Sequence, residues 1–125
     1  MGRKTLQSLP NSKPLPKRRN IVLSHSLKEC EGVEVYGSIG ELLKHVSINE
    51  ESFVIGGGEV YSELLPYCNK AIITKINKSA EADTYFPNLD NGKEWVLSEC
   101  SELFAFDDLT YTFCTYKRIS NPCVL

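Results

Sequence analysis

The stretch Ser52-Phe53-Val54-Ile55-Gly56-Gly57-Gly58-Glu59-Val60-Tyr61 constrains this chain more than any other, because an apolar run breaks into three consecutive glycines before a helical pattern resumes. It predicts a strand, a tight turn and a helix. Three of the eight glycines lie here, and glycine accepts backbone conformations and close approaches that a Cβ would block. A helix opening straight after the turn directs unpaired N–H groups and the positive end of its dipole at the space in front, which suits a phosphate or another anion. Two familiar phosphate motifs do not fit. The pattern G-x-G-x-x-G fails because Tyr61 holds the third glycine position, and the P-loop fails because no Gly-Lys-Ser/Thr follows. Taken alone, the glycines suit a purely structural strand-to-helix turn equally well.

The charge distribution narrows the ligand class. Residues 1–19 carry Arg3, Lys4, Lys13, Lys17, Arg18 and Arg19 and no acid, although the chain as a whole has a net charge of −2. This local excess of positive charge fits a small polyanionic ligand better than nucleic acid, since the segment has no aromatic residues and the overall balance is acidic. At 125 residues, with 42% hydrophobic and 24% charged side chains, the chain has the size and composition of one globular domain spanning 1–125. No apolar run approaches the length of a membrane span, and no apolar signal-peptide core follows the charged start, so the expectation is a cytoplasmic protein with no membrane partner. Met1-Gly2 opens like a myristoylation signal, but position 6 is Leu where Ser or Thr is needed. The five cysteines, Cys30, Cys68, Cys100, Cys114 and Cys123, are widely spaced without a C-x-x-C pair. They read as buried thiols rather than as disulfides or metal ligands.

Along the chain, residues 2–9 look helical and 10–16 form a proline-stiffened loop. Residues 20–24 are apolar and β-branched throughout, as in a strand covered on both faces, and 33–36 form a second short strand. Ser38-Ile39-Gly40-Glu41 is a capping box that opens a helix bearing Leu42, Leu43 and Val46 and ending before Glu51. The helix behind the glycines places Val60 and Leu64 on one face and stops at Pro66. Residues 70–76 and 95–99 read as strands, and Phe104 to Arg118 as a hairpin turning at Asp107-Asp108. Residues 120–125 read as a loose tail. Strands alternating with helices and then an antiparallel end predict an α/β fold, with helices flanking a mixed, mainly parallel sheet.

Four separate stretches agree with one family. Met1-Gly2-Arg3-Lys4-Thr5, residues 14–24 (Pro-Leu-Pro-Lys-Arg-Arg-Asn-Ile-Val-Leu-Ser), residues 54–61 (Val-Ile-Gly-Gly-Gly-Glu-Val-Tyr) and residues 83–87 (Asp-Thr-Tyr-Phe-Pro) resemble dihydrofolate reductase in the same order and at similar spacing. The resemblance implies NADPH-dependent reduction of 7,8-dihydrofolate to tetrahydrofolate, a place in one-carbon metabolism, and a monomer when complete. It further implies an N-terminal truncation. The family's first strand, mobile loop, first helix and most of its second strand lie upstream of the segment matching Met1, and that helix carries the catalytic carboxylate. No residue of this chain is therefore assigned a catalytic role.

The resemblance assigns Arg3, Lys4 and Thr5 to the cofactor phosphates, with Arg3 and Lys4 beside the 2′-phosphate, where a guanidinium fork suits the anion. Leu23, Ser24 and His25 flank the adenine, although His25 departs from the residues often found there. Ile55 through Tyr61 (Ile55, Gly56, Gly57, Gly58, Glu59, Val60, Tyr61) form the pyrophosphate turn and the start of its helix, with Tyr61 by the nicotinamide. Thr84 stands at the far end of the cofactor. For dihydrofolate and antifolate-like molecules it assigns Leu9, Leu15 and Ile55 to the apolar wall, Thr74 to a polar contact through water, and Arg18 to the substrate carboxylate. No metal is implied. A second reading keeps cofactor binding without catalysis. A hydrolase using the turn as an oxyanion site lacks G-x-S-x-G, and His25 and His45 have no evident nucleophile partner.

Overall fold

The computed structural model describes residues 1–47 and 49–119. The expected tail at 120–125 lies outside the described residues. The chain groups into two compact units, one formed by Met1–Leu65 and a second that begins at Pro66.

In the first unit, helix α1 (Arg3–Ser8) buries Leu6 and is closed by the Leu9 N–H donating to the Leu6 carbonyl at 3.1 Å. A single 3-10 turn at Pro10–Ser12 follows. Strand β1 (Ile21–Leu23) then pairs in parallel with β2 (Glu34–Tyr36), Val22 opposite Val35, and Val22 is fully buried. Helix α2 (Ile39–Leu43) starts as its sequence predicts, with Ser38 Oγ accepting from the Glu41 N–H at 3.2 Å, and it buries Leu42. Helix α3 (Gly58–Leu64) buries Val60 and Leu64, and Pro66 sits in the 3-10 turn Leu65–Tyr67 that ends it.

The second unit is a four-stranded sheet of β3 (Lys70–Ile76), β4 (Trp95–Cys100), β5 (Phe104–Phe106) and β6 (Leu109–Arg118), in which β6 pairs with all three others. Its core is Leu89, Trp95, Cys114 and Tyr116. The Arg118 guanidinium stacks 4.4 Å from the Trp95 ring centroid while its Nε donates to the Cys68 carbonyl at 2.7 Å. Tyr116 donates to Asp90 at 2.7 Å, and the same carboxylate pairs with Lys75 at 3.0 Å. On the other face Phe104, Tyr111 and Phe113 form a ring cluster with centroids 5.6–5.7 Å apart.

Two expectations need correction. The pairing is not mainly parallel: among the strands of the described residues β1 with β2 is the one parallel pair, and every pairing of β6 is antiparallel. The reason lies in the connections. A parallel pair needs a long crossover, usually helical, whereas Asp107-Asp108 joins β5 to β6 directly, with Asp107 at φ 53°, and no helix occurs between β3 and β6 among the described residues. The segment 52–55 is likewise not a strand. Its apolar character is that of a strand, but a ladder needs a partner, and none is hydrogen-bonded to it among the described residues; Phe53 is left 69% exposed.

Beside β2, Glu34 receives the Arg19 guanidinium through Nε to Oε2 and Nη2 to Oε1, the latter at 2.7 Å, and the Tyr36 hydroxyl at 2.8 Å. These hydrogen bonds, Arg19 first, lower the Glu34 pKa from 4.5 to about 2. A depressed carboxylate stabilises the fold above its unfolded pKa and loses that contribution as pH falls through the folded value. Because both side chains remain about 40% exposed, water screens the pair and the contribution is small. Glu34→Gln should therefore lower the urea midpoint near neutral pH, and the difference from wild type should vanish as pH falls from 4.5 to about 2. Urea titrations across that range check it.

Candidate functional site

Three segments of the first unit meet at the glycine turn through backbone hydrogen bonds. The Gly2 N–H donates to the Gly56 carbonyl at 2.8 Å, and Gly2 also bridges Leu23 in parallel register, with the Leu23 N–H donating to the Met1 carbonyl at 2.9 Å. The start of α1 thus lies between the end of β1 and the turn before α3. The fit is close at position 2, where a Cβ would stand 3.3 Å from Val60 Cγ2 and that methyl group would have to shift by a few tenths of an ångström. Gly56 is buried with φ 108°, and the Tyr61 ring and hydroxyl lie 3.1–3.3 Å from where its Cβ would be. The Gly56–Gly57 peptide is cis. Gly57 is exposed, and a Cβ there would meet only Thr5 Oγ1 within 4 Å, at 3.8 Å, once its chain neighbours are set aside. The turn consequently presents bare backbone to the outside.

The helix that begins beside the turn opens on basic residues. Arg3 and Lys4 occupy the first turn of α1, which contains no acid. Past β1, a shallow depression is lined by Ser24, His25, Leu27, Lys28, Val35 and Gly37. It is shaped by Ser24, whose N–H donates to the Tyr36 carbonyl at 3.0 Å and whose Oγ accepts from the Leu27 N–H at 3.0 Å. That turn returns Lys28 beside His25. Lys28 is a residue that sequence reasoning missed; the available signal was a second basic side chain three positions after the histidine. Across the turn, Glu59 is exposed in the first turn of α3, while Val60 points into the core and leaves only its backbone near the glycines. Tyr61 is half-buried against Gly56, and its N–H donates to the Gly57 carbonyl at 2.9 Å.

The residues expected to contact folate are spread over both units. Leu9 caps the end of α1, and Ile55, 39% exposed, immediately precedes the turn. Leu15 and Arg18 belong to a loop held by Asn20, a buried side chain that sequence reasoning took only as a strand start. Asn20 Oδ1 accepts from the Leu15 N–H at 2.9 Å, and Nδ2 donates to the carbonyls of Leu15 at 2.8 Å and Arg18 at 3.0 Å. Arg18 is exposed, with Nε donating to the Pro16 carbonyl at 3.0 Å. Thr74, on β3 opposite Phe113, and Thr84, in the loop after β3, are exposed residues of the second unit. Among the described residues no group of three or more His, Cys, Asp or Glu is gathered as metal ligands would be. None of their helices is long and apolar enough to cross a membrane.

Known proteins match this sequence along most of its length. A family profile described as dihydrofolate reductase covers residues 1–118. The chain is 44% identical to the dihydrofolate reductase of Haemophilus influenzae over 95 residues, which is 76% of this chain and 58% of that protein. It is 37% identical to that of Bacillus subtilis over 120 residues (94% and 70%) and 41% identical to that of Staphylococcus haemolyticus over 125 residues (95% and 72%). The chain belongs to the dihydrofolate reductase family. It spans somewhat more than half the length of the first of these relatives and about seven-tenths of the other two.

Gly56→Ala should destabilise the fold by about 1–3 kcal/mol, the range for a side chain forced into positive φ, with the Tyr61 ring adding to it. Gly37→Ala is the control, since its Cβ would meet nothing closer than the Ser24 carbonyl at 4.0 Å. Paired urea titrations should show a clear loss for the first and little change for the second.

Proposed function

We propose that this chain contributes the NADPH site and part of the folate wall of a dihydrofolate reductase, which reduces 7,8-dihydrofolate to tetrahydrofolate. The observation that carries this reading is the convergence of Met1 to Thr5, Leu23 to His25 and Gly56 to Tyr61 through backbone hydrogen bonds. Bare, exposed backbone at Gly57 flanked by Arg3 and Lys4 suits a phosphorylated cofactor. NADPH, when bound, supplies the hydride; the protein's contribution is binding and orientation.

On this reading Arg3 and Lys4 hold the 2′-phosphate, with Thr5 beside them. Leu23, Ser24 and His25 flank the adenine, and Lys28 joins them from the same depression. The backbone from Gly56 to Val60 lies along the pyrophosphate, Tyr61 borders the nicotinamide, and Thr84 stands by the distal end. Exposed Glu59 opposes excess negative charge at the helix start and so disfavours a bare trianion there. Leu9, Leu15 and Ile55 pack against the pterin and benzoyl rings, Thr74 makes the polar contact, and Arg18 pairs with the substrate carboxylate from a loop that Asn20 keeps in shape. Antifolate-like molecules would use the same wall. No proton transfer is attributed to a residue of this chain. The protein acts in the cytoplasm, as one domain and as a monomer when complete.

A second reading, cofactor binding without turnover, is favoured by one observation. Every residue proposed for the phosphates lies within the first unit, whereas Thr74 belongs to the second. Calorimetry with NADPH, followed by NADPH oxidation in the presence of dihydrofolate, separates the two: binding without oxidation supports the second reading.

Arg3→Ala should weaken NADPH by about 1.5–3 kcal/mol, the range for hydrogen bonds to charged groups, and leave NADH nearly unchanged. Calorimetric titration of both cofactors is the check, and equal losses would remove Arg3 from the 2′-phosphate. Gly57→Ala should reduce NADPH affinity beyond any loss of stability, because the added methyl group enters the outward space where pyrophosphate is proposed to lie. A variant that melts lower yet binds NADPH unchanged would mean that the turn is only structural.

A further inference from the structure

The second unit brings together two cysteines that lie fourteen positions apart in sequence. Cys100 on β4 and Cys114 on β6 are direct cross-strand partners, with their sulfurs 2.9 Å apart. A register irregularity makes them so. Leu97 faces Tyr116, but the next pairing is Glu99 with Thr115, so Ser98 is the extra residue of a β-bulge. Without it Glu99 would face Cys114 and Cys100 would turn to the opposite side of the sheet. The Ser101 N–H donates to the Phe113 carbonyl at 2.8 Å, which makes the neighbouring Cys100–Cys114 pair the narrow type without ladder bonds of its own. Such pairs have Cα atoms about 4.5 Å apart, inside the span of roughly 4.4–6.8 Å that a disulfide bridges.

We infer that Cys100 and Cys114 are an oxidisable dithiol, a cross-strand disulfide site whose oxidant is a small-molecule disulfide of the glutathione type. The two sulfurs have different access. Cys100 is exposed and Cys114 only 2% exposed, so Cys100 is the entry sulfur and Cys114 the resolving one. The Cys100 thiolate attacks one sulfur of the glutathione disulfide, forming a mixed disulfide and releasing one glutathione thiolate. The Cys114 thiolate then attacks Cys100 Sγ and releases the second. Each protein thiol gives up its proton, two electrons pass to the small molecule, and two glutathione thiols result.

Hydrogen bonding prepares the resolving sulfur. Bonds from Cys100 and from the Thr112 hydroxyl, 3.6 Å away, lower the Cys114 pKa, while the same sulfur–sulfur bond raises that of Cys100. The first charge of the pair therefore rests on Cys114, whose sulfur, 2.9 Å away, takes the Cys100 proton as Cys100 attacks; the released glutathione thiolate then takes that proton and leaves Cys114 ionised for the second step. Lys75 lowers both pKa values and Asp90 raises both, and those two side chains are paired with each other at 3.0 Å.

Trypsin leaves both cysteines on one peptide, residues 94–117, because no Lys or Arg lies between Lys93 and Lys117. After incubation of the whole chain with glutathione disulfide, acid quench and alkylation, that peptide should be two hydrogens lighter and carry no alkyl group. Dithiothreitol should restore two alkylation sites. In urea the pairing should scatter over the five cysteines. Cys100→Ser should abolish the bridge and leave Cys114 unmodified, while Cys114→Ser should stop at a mixed disulfide on Cys100. The melting temperature of the oxidised wild type should rise, and that of Cys100→Ser should not. Two alkyl groups on the native peptide, a lasting mixed disulfide on wild-type Cys100, or pairing as scattered as in urea would each overturn the inference.

Discussion

The hydrogen bond from the Gly2 N–H to the Gly56 carbonyl, 2.8 Å long, is the contact on which the first unit depends. It joins the start of α1 to a turn more than fifty residues later, and Gly2 is simultaneously bridged to Leu23. A single residue thus sets the separation of three segments. The absence of a side chain at that residue eases the contact, since Val60 Cγ2 would stand 3.3 Å from a Cβ there. What results is a surface built from main chain, and main-chain amides are held in place by the fold, without the rotamer freedom of a long side chain.

The same unit redistributes the positive charge that the sequence concentrates in residues 1–19. Arg19 is taken by Glu34, which is also engaged by Tyr36, whose ring stacks on His45 at 4.6 Å. Arg18 turns its Nε to the Pro16 carbonyl. Arg3 and Lys4 begin α1 with no acid in that turn, and Lys28 is returned to the depression after β1. A run of like charges in sequence is therefore divided into a structural ion pair, a loop guanidinium and a local cationic flank. The cationic flank is the part that can attract a phosphorylated ligand.

Much of this was legible from the chain itself, for reasons that differ by element. Ser38 with Glu41, Val60 with Leu64, and Asp107-Asp108 are local signals read over a few residues, and local geometry decides them. The run Phe53-Val54-Ile55 failed as a strand because strand formation is settled by a partner elsewhere, which hydrophobicity does not report. Strand direction failed similarly, since alternation of helices and strands early in the chain did not extend to the hairpin-linked strands that follow β3. At the candidate site the glycines and Arg3 to Thr5 were marked by motif. Asn20 and Lys28 carried no motif, because each matters through where a turn delivers it. The expectation of buried cysteines held for Cys114; Cys30 and Cys68 are only partly buried, Cys123 lies outside the described residues, and Cys100, which the bulge at Ser98 brings opposite Cys114, is exposed.

The order in which β6 collects its partners has a kinetic side. Phe106 meets Leu109 across two residues, Cys100 meets Cys114 across a short loop, Trp95 meets Arg118 across a longer one, and Lys70 meets Lys117 last of all. Closing a loop costs entropy that grows with its length, and contacts remote in sequence form against the larger share of that cost. The cheapest nucleus is the hairpin at Asp107-Asp108, where the ring cluster of Phe104, Tyr111 and Phe113 already supplies apolar contact. From there the sheet can zip outward through β4, each pairing shortening the effective loop for the next. The β3 edge is the slow step, and Ile72 and Ile76, more than half exposed even in the finished sheet, make the interval before it closes the time when this unit is most open to association with other chains.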